Sequence, residues 1–215
     1  MYSSDIIRIN GPINQVNDSV VAGTPVGSGT AGLSSTQGQL GKQIWLDPSQ
    51  IIFNTSVGTL YGGGYRYVRY RSADTPAPVV GQIAFWDTTV TSWQTAFQIT
   101  REEDLSSVDN AILIAGIFIS IPTAGNYCFI QDAGLVPVKF RTTLTSAGAI
   151  GSRVYAAGAG DGADEGLADV LNTADPAEFG DVSLMQARYL GIAAAVAPTA
   201  LTLSPVTLGF HNLIG

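Results

Sequence analysis

The residue types most suited to recognition are concentrated in one short segment, Tyr65-Arg66-Tyr67-Val68-Arg69-Tyr70-Arg71. Tyrosine and arginine offer large contact areas and forked hydrogen bonds, and both are enriched at the centres of protein interfaces. On a strand, the segment would carry aromatic and guanidinium groups on both faces, because successive side chains alternate. It is therefore either a contact surface for acidic partner groups or a half-exposed strand whose arginine stems lie across tyrosine rings. With two apolar anchors from the preceding chain, the predicted interface residues are Tyr65, Arg66, Tyr67, Arg69, Tyr70, Arg71, Trp45 and Phe53.

Catalytic chemistry has little to build on in this sequence. His211 is the one histidine, and a nucleophile–histidine–acid relay would have to be assembled around it. The chain has neither a G-x-S-x-G nucleophile elbow nor a phosphate-binding P-loop. We predict a protein without catalytic residues, and we interpret His211 as a surface or interface histidine.

A glycine-rich segment, 27–32, fits the dinucleotide-binding pattern G-x-G-x-x-G, and Asp47 lies beyond it. That chemistry needs a buried strand before the glycines and a helix after them, whose N-terminus receives the pyrophosphate. Pro25 precedes the glycines and a Ser/Thr/Gln-rich stretch follows them. The segment therefore indicates a flexible linker, and no cofactor is expected.

Carboxylates are concentrated late in the chain, with no Lys or Arg between Arg153 and Arg188. They are Asp161, Asp164, Glu165, Asp169, Asp175, Glu178 and Asp181. Calcium prefers clustered carboxylate oxygens, but the spacing of a calcium-binding loop is missing. A solvated, self-repelling loop is the favoured interpretation and no metal site is predicted, although a calcium site and a glycosidase-like carboxylate pair stay open as alternatives.

The composition restricts the partners. Only 13% of the 215 residues are charged, 25 are glycine, and the net charge is −7. Nucleic-acid binding depends on Lys and Arg, of which there are 10, so a nucleic-acid partner is not expected. Cys128 is alone, which excludes an intrachain disulfide, and the longest apolar run, 112–121, is too short to cross a bilayer. The first residues lack the pattern of a signal peptide, so synthesis and folding in a reducing cytoplasm and no membrane partner are expected.

The sequence divides near residue 60. Residues 1–60 lack sustained periodicity and are predicted to form an extended arm, with Trp45 and Phe53 as anchors that dock elsewhere. From residue 61 to 215, short Val-, Ile-, Tyr- and Thr-rich runs alternate with turn residues, which indicates an all-β domain, either a β-sandwich or a small β-barrel. No internal repeat is apparent. The predicted strands are 65–71, 80–86, 96–100, 113–121, 127–131, 135–144, 153–157, 187–195 and 200–208, with a turn at Asp132-Ala133-Gly134.

Three segments of the second part carry a family resemblance. They are Pro122-Thr123-Ala124-Gly125-Asn126-Tyr127-Cys128-Phe129-Ile130-Gln131 with Gly134-Leu135-Val136-Pro137-Val138, then Ala149-Ile150-Gly151-Ser152-Arg153-Val154-Tyr155, and finally Tyr189-Leu190-Gly191-Ile192-Ala193. Their order of aromatic strand, short turn, Ile-Gly-x-x-Val-Tyr step and returning strand resembles the capsid decoration (cement) proteins of tailed phages. The resemblance covers part of the chain after residue 61 and does not include the arm.

This resemblance implies a non-enzymatic virion protein on the capsid exterior. Its expected partners are the major capsid protein and further copies of itself, as a trimer or dimer that bridges capsomers. A different class of function stays open: a receptor- or glycan-binding module of a phage tail or surface appendage, with Trp86 and Trp93 as candidate exposed aromatics.

Overall fold

The computed structural model describes residues 41, 43–46, 53–54, 58–59, 62–71, 77–87, 97–101, 113–119, 121–122, 124–125, 127–144, 147–157, 166–170, 189–194, 198–200 and 202–209. These residues contain strands and no helix, which confirms the predicted all-β class. Ten strands belong to one sheet, and the other two pair with each other. The strands are β1 (Gln43–Leu46), β2 (Phe53–Asn54), β3 (Gly58–Thr59), β4 (Gly63–Tyr70), β5 (Ile83–Trp86), β6 (Gln98–Thr100), β7 (Ile114–Phe118), β8 (Tyr127–Lys139), β9 (Arg153–Ala156), β10 (Ala168–Val170), β11 (Tyr189–Ala193) and β12 (Leu203–Leu208).

The first half of the large sheet closes on itself. β4 pairs in parallel with β6, and the antiparallel pairings β6–β5, β5–β7, β7–β8 and β8–β4 complete the circuit. We call this closed circuit the first ring. Because it closes through hydrogen-bonded strands, it corresponds to the small barrel rather than to the open sandwich among the predicted alternatives.

The second half closes in the same way, and we call it the second ring. The later part of β8 pairs antiparallel with β12, β12 with β11, β11 with β9 and β9 with β10. A parallel bridge between Phe140 and Ala168 returns β10 to the end of β8, where the Arg141 amide donates to the Ala168 carbonyl at 3.0 Å. The 13-residue strand β8 therefore belongs to both rings.

The two rings repeat one topology. The strand order around the first ring is β4-β6-β5-β7-β8, and around the second ring it is β8-β10-β9-β11-β12. In each ring the last strand pairs with the first. The registers also correspond: Ile83 faces Ile117 in the first ring, and Arg153 faces Ile192 in the second. In both, the fourth strand carries one extra residue at the equivalent place. The expectation that the chain lacks an internal repeat was therefore wrong.

The turn that leads into the second strand is the same in both rings. Gly81 and Gly151 each have a φ of 85°, a left-handed conformation that glycine adopts at little steric cost. Each glycine amide donates to the fourth strand at 2.8 Å, to Phe118 in the first ring and to Ala193 in the second, which forms a glycine-led β-bulge. These two short glycine turns are the clearest trace of the repeat in the sequence.

Each ring has an apolar interior built from equivalent positions. One buried cluster draws on all five strands of the first ring and therefore fills its interior, since outward-facing side chains on opposite walls would not meet. The buried residues are Val68, Tyr70, Ala84, Trp86, Ile99, Ala115, Phe118, Cys128 and Ile130. Their counterparts in the second ring are also buried: Val138, Phe140, Val154, Ala156, Ala168, Leu190, Ala193, Ser204 and Val206.

After residue 60 the predicted strands mostly coincide with the observed ones, with two differences, at β8 and β10. The predicted turn at Asp132-Ala133-Gly134 lies inside β8, because the chain uses Asp132 as the extra residue of a bulge against β4 rather than as a turn. β10 was not predicted. The predicted arm contributes β1, which pairs antiparallel with the beginning of β4, so the arm is joined to the first ring by main-chain hydrogen bonding.

Candidate interaction surfaces

The tyrosines of the predicted recognition strand are core residues. Tyr65 and Tyr70 are fully buried and Tyr67 is 3% exposed, although Tyr65 and Tyr67 lie on one face of β4 and Tyr70 lies on the other. Tyr70 lies inside the first ring in a T-shaped contact with Phe118, and Tyr67 packs on Phe129 with 5.0 Å between ring centroids. The prediction that Tyr65, Tyr67 and Tyr70 contact another molecule is therefore corrected, because these side chains are covered on both faces of β4 within the chain.

Arg66 is committed to an ion pair inside the chain. Its Nε donates to Asp132 Oδ2 at 2.9 Å, and the two side chains are 9% and 0% exposed. Arg66 Nη1 also donates to the Gly41 carbonyl at 3.2 Å, and Gln43 Nε2 donates to the other Asp132 oxygen at 2.8 Å. The bulge in β8 provides the carboxylate, and the network holds the part of the predicted arm at Gly41 and Gln43 against the first ring.

The remaining arginines of this strand are half-buried. Arg71 Nε lies 3.7 Å from Asp87 Oδ2, and the Asp87 carboxylate also accepts from Gln98 Nε2 at 2.8 Å. Arg69 is half-buried on the outward-facing side of β4. A variant with glutamate in place of all three arginines would bring a second carboxylate against Asp132, so it would disturb the fold as well as any interface.

The two apolar anchors predicted in the arm differ in what the structure describes. Trp45 lies on β1 and is 54% exposed, which makes it the most accessible aromatic ring among the described residues. Phe53 lies on β2, and its side chain is outside the described part of the chain. Trp45 is therefore the predicted interface residue whose exposure fits a contact with another molecule.

Several other sequence features lie partly or wholly outside the described residues. His211, segment 27–32 and Trp93 are not described. Among the late carboxylates, Asp169 is described, and it is buried rather than solvated: its Oδ2 accepts from Arg141 Nη1 at 3.1 Å. Trp86 is 4% exposed in the interior of the first ring, so it does not offer a platform for a sugar.

Burial changes the acidity of two side chains in the first ring. Desolvation raises the pKa of the Tyr65 phenol and that of the Cys128 thiol well above their usual values. Cys128 is fully buried and behaves as the small hydrophobic residue that its sequence context predicts. A raised pKa keeps the thiol protonated and unreactive.

The strongest contrast on the surface is between two equivalent rows of outward-facing side chains. In the first ring, the registered neighbours Tyr65, Gln131, Ile117 and Ile83 run across four strands, and each has zero exposure. We call these four residues the covered row. They alternate with the interior residues and so face away from the interior of the ring.

The equivalent row of the second ring faces solvent. Leu135, Thr207, Ile192 and Arg153 are registered neighbours across β8, β12, β11 and β9. Leu135 is half-buried, Thr207 and Arg153 are exposed, and Ile192 is 44% exposed. We call these four residues the open row.

The sequence reasoning missed the open row, although a signal for it exists. The signal is an alignment of the two rings in sequence: Val80-Gly81-Gln82 matches Ile150-Gly151-Ser152, and Gly116-Ile117 matches Gly191-Ile192. In this alignment Arg153 is equivalent to Ile83. The arginine at that position marks a change from a covered to an exposed environment.

Comparison of the chain with protein-family models, curated proteins and solved structures gives no match. Within the described ranges, His, Cys, Asp and Glu side chains do not form a metal-binding group of three or more. The same ranges contain no helix of the length and hydropathy that a membrane span requires.

Proposed function

We propose that this chain is a structural virion protein that binds a tailed-phage capsid as a decoration, or cement, subunit and stabilises the lattice. The observation that carries the proposal is the tandem repetition of the rings. The segments that resemble decoration proteins fall on β8, β9 and β11. The first ring repeats that order in β4, β5 and β7, so the element order of the resemblance occurs twice in the chain.

The shared strand supports a mechanical role. A lattice-binding protein gains strength from many weak contacts, which add only if the contact sites keep fixed relative positions. Two rings joined by a continuous strand, rather than by a linker, hold their outer faces at a fixed spacing. This architecture favours a static, repeated contact.

Trp45 is the side chain we assign to the capsid contact. It is half-exposed on a strand that main-chain pairing and the Arg66–Asp132 network hold in place. A rigid, exposed tryptophan gives a large apolar contact at low cost in conformational entropy. The proposed contact residue is therefore Trp45 on the edge strand β1, instead of the buried tyrosines of β4.

The test is binding to capsid shells. Shells of the virus that encodes this chain, stripped of outer proteins, are mixed with the purified chain and sedimented, and copies per shell are counted by quantitative mass spectrometry. We expect saturable binding at many copies per shell, and we expect Trp45→Ala to weaken it by about tenfold or more. The exposed Ile121→Ala is the matched control and should bind as the wild type does.

Two outcomes would contradict the proposal. The first is the absence of saturable sedimentation with shells by a chain that circular dichroism shows to be folded. The second is a glycan array that gives a specific signal without any capsid binding, which would favour the receptor- or glycan-binding alternative. Equal binding by wild type and Trp45→Ala would retain the function and remove Trp45 from the contact.

A further inference from the structure

Strand β1 has one edge without a neighbouring strand in the described part of the chain. It is the first strand in the order of the ten-stranded sheet, and it pairs with β4 alone. At the other end of that order, β10 is returned to β8 by the bridge between Phe140 and Ala168. The main-chain donors and acceptors on the outer edge of β1 are therefore available to a further strand.

The sequence of β1 does not protect this edge. Soluble proteins block an open edge with charged side chains, a proline or a bulge. β1 reads Gln-Ile-Trp-Leu, without a charge or a proline, and its pairing with β4 has no register shift. The strand is also held in place, because Gln43 Nε2 donates to Asp132 and the Gly41 amide donates to the Tyr67 carbonyl at 2.7 Å. A fixed and uncharged edge of this kind is a template for one more strand.

The repeat of the two rings indicates which part of the chain covers such an edge. In the second ring, Gly134 of β8 pairs with β12 on one edge and with β4 on the other. In the first ring, the equivalent Gly64 of β4 pairs with β8 on one edge and with β1 on the other. In both cases the strand outside the ring is antiparallel and comes from earlier in the chain. A strand that continues this pattern on β1 comes from the residues before β1.

The chain before β1 contains a run suited to this place. Residues 1–40 lie outside the described residues, and their highest density of β-branched residues is in Ile6-Ile7-Arg8-Ile9, which we call the isoleucine run. Residues 10–42 connect this run to β1, a length that allows it to lie antiparallel along a four-residue strand. A segment tethered to the same chain has a high effective concentration at the edge, which favours it over a strand from another molecule.

We propose that the isoleucine run adds to the open edge of β1 as an antiparallel strand. It binds through main-chain hydrogen bonds, and it blocks this edge against pairing with other exposed strands. Side chains of a strand stand perpendicular to the sheet, so the added strand leaves Trp45 on the face of the sheet. The inference goes beyond the proposed function, because the capsid contact assigned to Trp45 does not depend on it.

Amide hydrogen exchange of the full chain, measured residue by residue by NMR, tests the proposal. Successive amides of a strand point to opposite edges, so β1 protects alternate amides when one edge is open and all of them when both edges are paired. In the wild type we expect every amide of β1 to be protected, and we expect this protection to be independent of protein concentration.

The deciding variant carries prolines at two neighbouring positions, Ile7→Pro and Arg8→Pro. A proline has no amide hydrogen, and in either register one of these two positions directs its amide towards β1. We expect the outer amides of β1 to exchange about tenfold faster or more in this variant, while the amides that face β4 stay protected. The matched control carries Ile13→Pro and Asn14→Pro, outside the isoleucine run, and should exchange as the wild type does.

Four results would overturn the inference. In the wild type, these are protection of alternate amides only, or outer-edge protection that rises with protein concentration and so assigns the edge to a second copy. In the variants, they are unchanged exchange with prolines in the isoleucine run, or an equal loss of protection in the control. Exchange is measured in the free chain, so failure of this inference and failure of capsid binding are distinguishable.

Discussion

The two rings have matching strand order and turns, and bury side chains at equivalent interior positions, but their outer walls differ in exposure. Tyr65, Ile83 and Ile117 are fully buried on the outside of the first ring, while Leu135, Arg153 and Ile192 hold the same positions on the second. The interior of a closed ring is set by the requirement to fill it. Its outer wall is free to vary, so the residues there report what the ring packs against.

The interiors differ in how they are filled. The first ring uses large side chains, Trp86 and Phe118, where the second has Ala156 and Ala193. The second ring has Leu190 at the position where the first has Ala115. A closed ring therefore tolerates exchange of volume between strands as long as its interior is filled.

The largest expected effect concerns the buried Arg66–Asp132 ion pair of the first ring. Asp132→Ala should lower the free energy of unfolding by about 3–5 kcal/mol, because Arg66 would be left buried without its carboxylate. Urea denaturation measures this change. Arg153→Ala on the open row serves as control and should change stability by about 0.5 kcal/mol or less. A loss below about 1 kcal/mol for Asp132→Ala would show that this carboxylate does not hold β1, β4 and β8 together.

The next prediction compares the two rows directly. Ile117→Ala should cost about 2–5 kcal/mol, since it leaves a cavity under a fully buried side chain. Ile192→Ala, at the equivalent position, should cost about 1 kcal/mol or less in the free chain. Both are measured at a concentration where the chain is monomeric, and equal costs would remove the distinction between covered and open rows.

A third prediction concerns a position where the rings should behave alike. A Cβ atom at Gly116 would approach the Gln131 carbonyl, and one at Gly191 would approach the equivalent Thr207 carbonyl. Gly116→Ala and Gly191→Ala should therefore each destabilise by about 1–3 kcal/mol through overpacking. Thermal denaturation of the two variants tests this, and an effect in one ring alone would break the equivalence of the fourth strands.

The smallest predicted effect is a pH dependence confined to the first ring. The raised pKa of Tyr65 means that the folded chain keeps the phenol protonated where the unfolded chain, with an ordinary pKa near 10, loses the proton. The stability contribution of the protonated phenol is therefore fully present below about pH 10. Above that pH the free energy of unfolding falls by up to about 1.4 kcal/mol per pH unit. In the second ring, Leu135 occupies the position equivalent to Tyr65, so this position carries no phenol that could titrate.

Urea denaturation of wild type and Tyr65→Phe between about pH 8 and 11 isolates this contribution. The wild type should lose stability more steeply than the variant above pH 10. Parallel profiles would show that the phenol does not titrate with unfolding.

The sequence predicts the strands better than it predicts their environment. Short runs rich in Val, Ile, Tyr and Phe between turn residues locate β4, β5 and β7, because strand and turn propensities depend on local chemistry. The covering of Tyr65 and Tyr67 depends on distant parts of the chain, so an Arg/Tyr-rich strand that indicated an interface turned out to be core. Local composition does not encode which of two faces another segment will cover.

Two further features could not be predicted from local sequence patterns. Asp132-Ala133-Gly134 has the composition of a turn, and only its pairing with β4 and β12 makes it the middle of a long strand. The repeat was missed because its matched positions share few identical residues, chiefly the glycines such as Gly81 and Gly151. Gly81 and Gly151 share a backbone conformation that favours glycine, whereas side chains at other equivalent positions differ with their surroundings.

The sharing of β8 has a consequence for how such a chain can be divided. A fragment that contains one complete ring must include β8. The remaining fragment then has four of the five strands that the other ring needs to close. Halves of an ordinary tandem protein can separate, recombine or be lost independently. Neither ring closes without β8, so the chain cannot be divided into two closed rings.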